Sequence, residues 1–213
     1  MGLIETRILT DHVYETIKLM IRDGALKPGA KINKKELESL LGVSQTPIND
    51  ALSRLAGQKH IEQRNRRGYF VRKYSCRELV DLFAARGAVE GMATRLAVEN
   101  ASDAEIEQIT RFFADVSFPL SEAAYHAYER TDREFHSLLI EYSRNAIMQE
   151  INEQFGYIVR TATTGLVRPP EETIGEHRAI IAAIRERNPR LAGELMTEHH
   201  LRSRDVLVKE CRD

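Results

Sequence analysis

The sequence predicts a mostly α chain: an N-terminal winged helix-turn-helix followed by an all-α bundle of six helices. Three observations carry this expectation. Apolar residues recur at three- and four-residue spacing along most of the chain. Two short β-prone pieces occur in one place only, around a basic turn at 64–68. From Ser75 onward strand signals vanish.

The first helix is expected from about Thr6 to Arg22, with Val13, Ile17, Met20 and Ile21 on one stripe. Asp23-Gly24 and Lys27-Pro28-Gly29 end it and turn the chain. A short helix follows over Lys34–Leu41, with Asn33 placed to cap it. Gly42-Val43 makes a tight turn. The third helix starts at Ser44 or Thr46, keeps Pro47 in its first turn, and runs through Ile48, Ala51, Leu52 and Leu55 to about Gln58. Ile61-Glu62-Gln63 and Tyr69-Phe70-Val71 then form a hairpin with Arg64-Asn65-Arg66-Arg67-Gly68 at its tip. This order is that of a winged helix-turn-helix, in which the second helix of the pair enters the major groove and the cationic hairpin lies against phosphate.

Charge supports the reading. Residues 1–74 carry 14 Lys+Arg and 8 Asp+Glu, a balance of +6, while the remaining residues carry 17 and 24, a balance of −7. A basic head on an acidic body divides the chain at 1–74 and 75–213. Six helical stretches fit the body, at about 77–99, 103–117, 121–143, 145–165, 171–187 and 189–209, separated by Asn, Pro and Asp punctuation. With 42% hydrophobic and 30% charged residues, the composition is that of a globular protein. No run approaches the roughly 18 apolar residues of a membrane span, and the first residues lack the apolar core of a secretory signal. No membrane partner is expected. Cys76 and Cys211 form no CxxC pair, which argues against a disulfide framework or a thiolate zinc finger and points to a reducing cytoplasm.

Polar residues interrupt the apolar stripes of the bundle. Tyr125, Tyr128, Asp132, Phe135, Leu139 and Tyr142 form one stripe, with His136 one turn beyond Asp132. Ile174, His177, Ile181 and Ile184 form another, and Leu195, Met196, His199 and Val206 a third. A carboxylate and three imidazoles on core faces of three helices suit a divalent ion, with zinc first and nickel, manganese or iron as alternatives. Hydrogen-bonded core histidines and a buried ion pair are the plainer explanation of each residue alone. Helical period does not choose between His199 and His200. Arg86, Asn145 and Arg160 are further pocket candidates, although Arg86 has Glu90 at i+4 as an intrahelical partner.

The runs Leu26-Lys27-Pro28-Gly29, Leu40 to Leu52, and Arg67-Gly68-Tyr69-Phe70-Val71 resemble the winged-helix head of the GntR family of bacterial transcription regulators. Asp132 to His136, Asn145, Glu176 to Ile180, and Met196 to His199 resemble the FCD effector domain of its FadR subfamily, in the VanR-like branch. The resemblance implies a homodimeric repressor that binds a palindromic double-stranded operator and leaves it when a small carboxylate metabolite binds. It also implies a metal held by Asp132, His136, His177 and His199, with Arg86, Asn145 and Arg160 toward the effector. DNA contacts are expected from Lys34, Lys35, Ser44, Gln45, Thr46, Asn49, Arg54, Arg66, Arg67 and Gly68. The chain departs from the family at Gln45 and Asn49, where members usually carry Arg. Gln and Asn suit adenine rather than guanine, which predicts A·T-weighted half-sites. Two other readings stand beside this one: a metal-dependent hydrolase or isomerase, and a constitutive DNA-binding protein with a structural metal.

Overall fold

The structure, a computed structural model, describes residues 3–163 and 165–212, without the side chains of residues 3–7 and 160. Among these residues the chain is mainly helical and divides into two compact units, one made up mainly of the residues up to Tyr74 and one mainly of those from Ser75 onward.

The first unit comprises α1 (Leu3–Arg22), α2 (Lys34–Leu41), α3 (Gln45–Gly57) and the hairpin β1 (Ile61–Arg64) and β2 (Gly68–Val71). Val13, Ile17 and Ile21 of α1 meet Ile48, Leu52 and Leu55 of α3 in the core, and Ile61 and Val71 close it from the hairpin. Asn33 caps α2 by accepting from the Lys35 amide at 3.1 Å. Gly42 ends α2 at φ 64°, the left-handed conformation that a Cβ would disfavour. Ser44 occupies the N-cap of α3 without a side-chain capping bond. The antiparallel register pairs Ile61 with Val71 and Arg64 with Gly68, one pair more than the β-prone pieces predict.

The second unit contains α4 (Cys76–Asn100), α5 (Asp103–Thr110), α6 (Glu122–Tyr142), α7 (Ala146–Ala162), α8 (Pro170–Arg185) and α9 (Pro189–Glu210). Capping boxes start α4 at Ser75/Glu78 and α5 at Ser102/Glu105. The core gathers Phe113, Tyr128, Phe135, Leu139, Ile180, Ile184 and Met196. Helices α4 and α9 approach so closely at Gly91 and Gly193 that a Cβ on Gly193 would lie 2.8 Å from the Gly91 carbonyl oxygen.

Two expectations are corrected here. The helix predicted over 103–117 stops at Thr110, because Phe113 takes φ 60° to bury its ring in the core. The cysteines, which the lack of a CxxC pair argued were unlinked, form a Cys76–Cys211 disulfide with Cα atoms 5.7 Å apart. Sequence spacing is silent on this pairing, because packing of α4 along α9 brings together residues 135 positions apart. No helix among the described residues is long and apolar enough to cross a membrane.

Candidate metal centre and DNA-contacting face

In the body, α6, α8 and α9 each deliver an imidazole to one buried point. A ring nitrogen from each of His136, His177 and His199 lies within 4.8 Å of the others. Asp132, one turn before His136, places Oδ1 3.3 Å from His177 Nε2 and 4.0 Å from His136 Nε2.

The outward nitrogen of each ring is held by a different partner. His136 Nδ1 lies 2.7 Å from Glu90 Oε2 on α4. His177 Nδ1 lies 3.0 Å from the Tyr128 hydroxyl, which also bonds Thr173 Oγ1 at 2.8 Å. His199 Nδ1 lies 2.8 Å from Glu176 Oε2. With Glu90 and Glu176 accepting, His136 and His199 each donate from Nδ1. His177 Nε2 is buried without a hydrogen-bond partner, which is costly for a polar atom unless something else satisfies it. Three imidazoles with anchored outer nitrogens, an adjacent carboxylate and an orphaned inner nitrogen fit a divalent ion.

The electrostatics agree. Burial pushes His177 and His199 below the usual histidine range, so both are neutral near pH 7. Burial alone would raise Glu176, but hydrogen bonds from Arg168, His199 and Arg202 outweigh it and hold its carboxyl well down. Arg168 is itself buried, with Nη1 2.9 Å and Nη2 2.5 Å from the two Glu176 oxygens. Burial raises the Tyr128 phenol. Phe113 stacks on His177 at 4.5 Å between ring centroids, fixing the plane of that ring.

His200 belongs to a neighbouring network. Its Nε2 lies 2.8 Å from Glu90 Oε2, while Arg86 Nε lies 2.7 Å from Glu90 Oε1. Glu90, His136 and His200 also satisfy the geometric requirement for a metal cluster. Glu90 is shared between the two rings with the Arg86 cation alongside, and His200 Nδ1, like His177 Nε2, is buried without a hydrogen-bond partner. Burial opposes ionisation of Glu90, but Arg86, His200 and His136 together hold it well below the carboxylate range.

Of the predicted effector contacts, Arg86 and Asn145 are each engaged elsewhere. Arg86 is engaged by Glu90, the i+4 partner, and lies in the network behind His136. Asn145 caps α7, its Oδ1 accepting from the Met148 amide at 3.1 Å. The Arg160 side chain lies outside the described residues. Conversely, Glu90, Tyr128, Arg168 and Glu176 escaped sequence reasoning as partners of the imidazoles. Tyr128 was visible as an apolar-stripe residue and Glu176 as the neighbour of His177. Nothing in the sequence points Arg168 inward.

In the head, Ser44, Gln45 and Thr46 are exposed at the start of α3, and Asn49 follows one turn after Gln45. Lys35 is exposed on α2. Lys34 Nζ donates to Asn49 Oδ1 at 2.6 Å and sits 5.2 Å from the Tyr69 ring centroid. Gln45 Nε2 donates to Glu38 Oε2 at 3.2 Å. Arg66 and Arg67 are exposed at the hairpin tip, where Arg66 and Gly68 have φ 58° and 96°. Arg54 is not on the Gln45–Asn49 face. It lies about 140° around the helix from Asn49, paired with Asp11 at 2.7 Å and stacked over Tyr14 at 4.0 Å.

Comparison with known proteins matches these two units separately. The model of the FCD domain matches residues 81–202, more than half of the chain, and that of the bacterial regulatory proteins of the gntR family matches residues 9–71. The chain belongs to the GntR family, with an FCD domain. This regulator is 25% identical over 199 residues to the HTH-type transcriptional repressor GlaR of Escherichia coli (strain K12), covering 88% of this chain and 90% of that one. It is 23% identical over 197 residues to the repressor RspR of the same organism, covering 91% and 86%. The fold of E. coli McbR/YncC superposes with a TM-score of 0.70 at 22% identity, over 95% of this chain and 98% of that one. The relatives are transcription regulators, and the hydrolase or isomerase alternative is set aside: the protein is not an enzyme.

Proposed function

We propose that this regulator is a metabolite-responsive repressor of the FadR subfamily, VanR-like branch. Residues 1–74 form its DNA-binding domain and residues 75–213 its effector-binding and dimerisation domain. A homodimer places two heads on a palindromic operator in the cytoplasm, and a small organic acid bound beside a divalent metal releases it. The observation that carries the metal reading is the outward anchoring of His136, His177 and His199 around the orphaned His177 Nε2.

Asp132, His136, His177 and His199 would hold the ion, zinc first. When bound, it supplies a Lewis-acidic position for a carboxylate. The chain's own residues orient the ligands: Glu90 and Glu176 fix two tautomers, and Tyr128 with Phe113 fixes the His177 ring. Effector release requires the acid to bind one arrangement of the dimer better than the other. On DNA, Lys34, Lys35, Arg66 and Arg67 meet phosphate. Gln45 and Asn49 read A·T-weighted half-sites, for which Lys34 must release Asn49 Oδ1 so that the amide can pair with adenine N6 and N7.

Binding-site selection from genomic fragments at about 0.15 M salt tests the head, because nonspecific binding is suppressed there. An enriched A·T-weighted palindrome is expected; guanine contacts opposite Gln45 and Asn49 would overturn the specificity reading. Metal content of the purified chain tests the centre. Asp132→Ala and His177→Ala should lose the metal, and full occupancy in both refutes the assignment. A panel of small carboxylates should weaken retention of the selected DNA. Unchanged retention across the panel favours a constitutive DNA-binding protein with a structural metal.

A further inference from the structure

Both cysteines of the chain are at one place, and that place is a junction. Cys76 is the first residue of α4, two positions after Tyr74, where the N-terminal stretch of the head unit ends. Cys211 follows the last residue of α9. Their Cα separation of 5.7 Å lies within the range a disulfide spans without backbone movement. The pair is accessible as well as close: Cys76 is half-buried and Cys211 is exposed.

The two sulfurs differ chemically. Cys76 lies at the N-terminus of a 25-residue helix, where unpaired amides and the helix dipole favour a thiolate. Cys211 lies at the opposite end of its own helix and lacks that help. A DNA-binding regulator works in the compartment of its DNA, where thiols are kept reduced and disulfides of mesophiles are usually transient or redox-sensing.

We infer that Cys76 and Cys211 are a reversible thiol–disulfide pair, oxidised by a peroxide and reduced by a dithiol, which fastens or frees the start of α4. In the forward direction the Cys76 thiolate attacks one peroxide oxygen and the O–O bond breaks. Cys76 becomes a sulfenic acid, and the departing hydroxide takes up a proton to leave as water. The Cys211 thiol then attacks the Cys76 sulfur. The S–S bond forms, the S–O bond breaks, and the hydroxyl leaves as a second water with the thiol proton. The two sulfurs lose two electrons and the peroxide gains them. A dithiol reverses the pair by exchange through a mixed disulfide, and is itself oxidised.

The consequence is local. In the disulfide form the first turn of α4 is covalently tied to the last turn of α9. In the dithiol form both helix ends retain only their non-covalent contacts and fray. Because α4 begins two residues after Tyr74, fraying of its first turn lengthens the chain between β2 and the ordered part of α4 and raises the ordering cost of seating the head on DNA.

The test uses the full chain, oxidised with hydrogen peroxide or reduced with dithiothreitol and then exchanged into reagent-free buffer. Thiol counting and peptide mass spectrometry should show two free thiols converting to one Cys76–Cys211 disulfide and back. Amide hydrogen exchange in residues 76–80 and 207–211 should be at least tenfold faster in the reduced form, with α8 unchanged. Retention of selected genomic DNA should be at least threefold weaker in the reduced form. Cys211→Ser should behave as the reduced chain under both treatments. The thiol–disulfide conversion and its effect on exchange should be the same with and without a metal chelator, which separates this inference from the metal reading. Three results would overturn it: no disulfide after peroxide, a disulfide that dithiothreitol does not open, or equal exchange and DNA retention in the two forms.

Discussion

Removal of the Tyr128 hydroxyl tests whether the candidate centre is held from outside. Tyr128→Phe keeps the ring that packs on Phe113 at 5.2 Å and deletes only the oxygen that bonds His177 Nδ1 and Thr173 Oγ1. Thr173 retains fallback acceptors in the Pro169 and Pro170 carbonyls, each 3.5 Å away. His177 has no such substitute, and its residue is fully buried. Leaving a buried ring nitrogen unpaired costs about 1–3 kcal/mol, which sets the expected loss of stability in the metal-free chain. The metal should suffer separately. Without the hydroxyl, the tautomer protonated on Nε2 competes, and that tautomer cannot ligate. Loss of an outer-nitrogen partner typically weakens metal binding by about 10- to 100-fold.

Urea unfolding of the metal-free chain measures the first effect, and titration calorimetry with Zn2+ measures the second. Tyr142→Phe supplies the control on the same helix. It deletes a hydroxyl that donates to Gln108 Oε1 at 2.7 Å, away from the imidazoles. That variant should lose stability without losing zinc affinity. Equal zinc affinities for Tyr128→Phe and the parent chain, or equal losses in the two variants, would refute the reasoning.

Other expectations are simpler to state. Gly91→Ala places a Cβ 2.0 Å from Thr197 Oγ1 and 3.0 Å from the Gly193 carbonyl oxygen, so it should destabilise the body by about 1–3 kcal/mol through overpacking, read by urea unfolding. Arg66→Ala should lower affinity alike for all DNA sequences and reduce the slope of log affinity against log salt by about one unit. Burial, with the Lys18 charge second, lowers His60 to about 4. The unfolded chain therefore takes up the proton first as pH falls. The contribution of His60 is present above about pH 6.5 and lost toward pH 4, by up to about 3 kcal/mol. Hydrogen exchange of head amides against pH should show this loss, and His60→Gln should flatten it.

The helices were legible because each buries a stripe, and burial of a stripe leaves a period in the sequence. Asn33, Gly42, Ser75 and Asn188 mark element ends for equally local reasons, since caps and left-handed turns depend on a few adjacent residues. The anomalous Asp132, His136, His177 and His199 were visible as polar residues on apolar faces. Whether those faces share one point, and whether His199 or His200 turns toward it, depends on how α6, α8 and α9 cross. Helical period carries no information about crossing. Phe113 ended α5 early because its ring is worth more in the core than one further helical turn, a choice made by neighbours distant in sequence. Glu90, Tyr128 and Glu176 acquired their roles the same way, each from a helix packed behind the ring it holds. Arg168 and the Cys76–Cys211 bond depend on tertiary packing alone. Periodicity records which face of an element is buried; only the packing of elements records what that face meets.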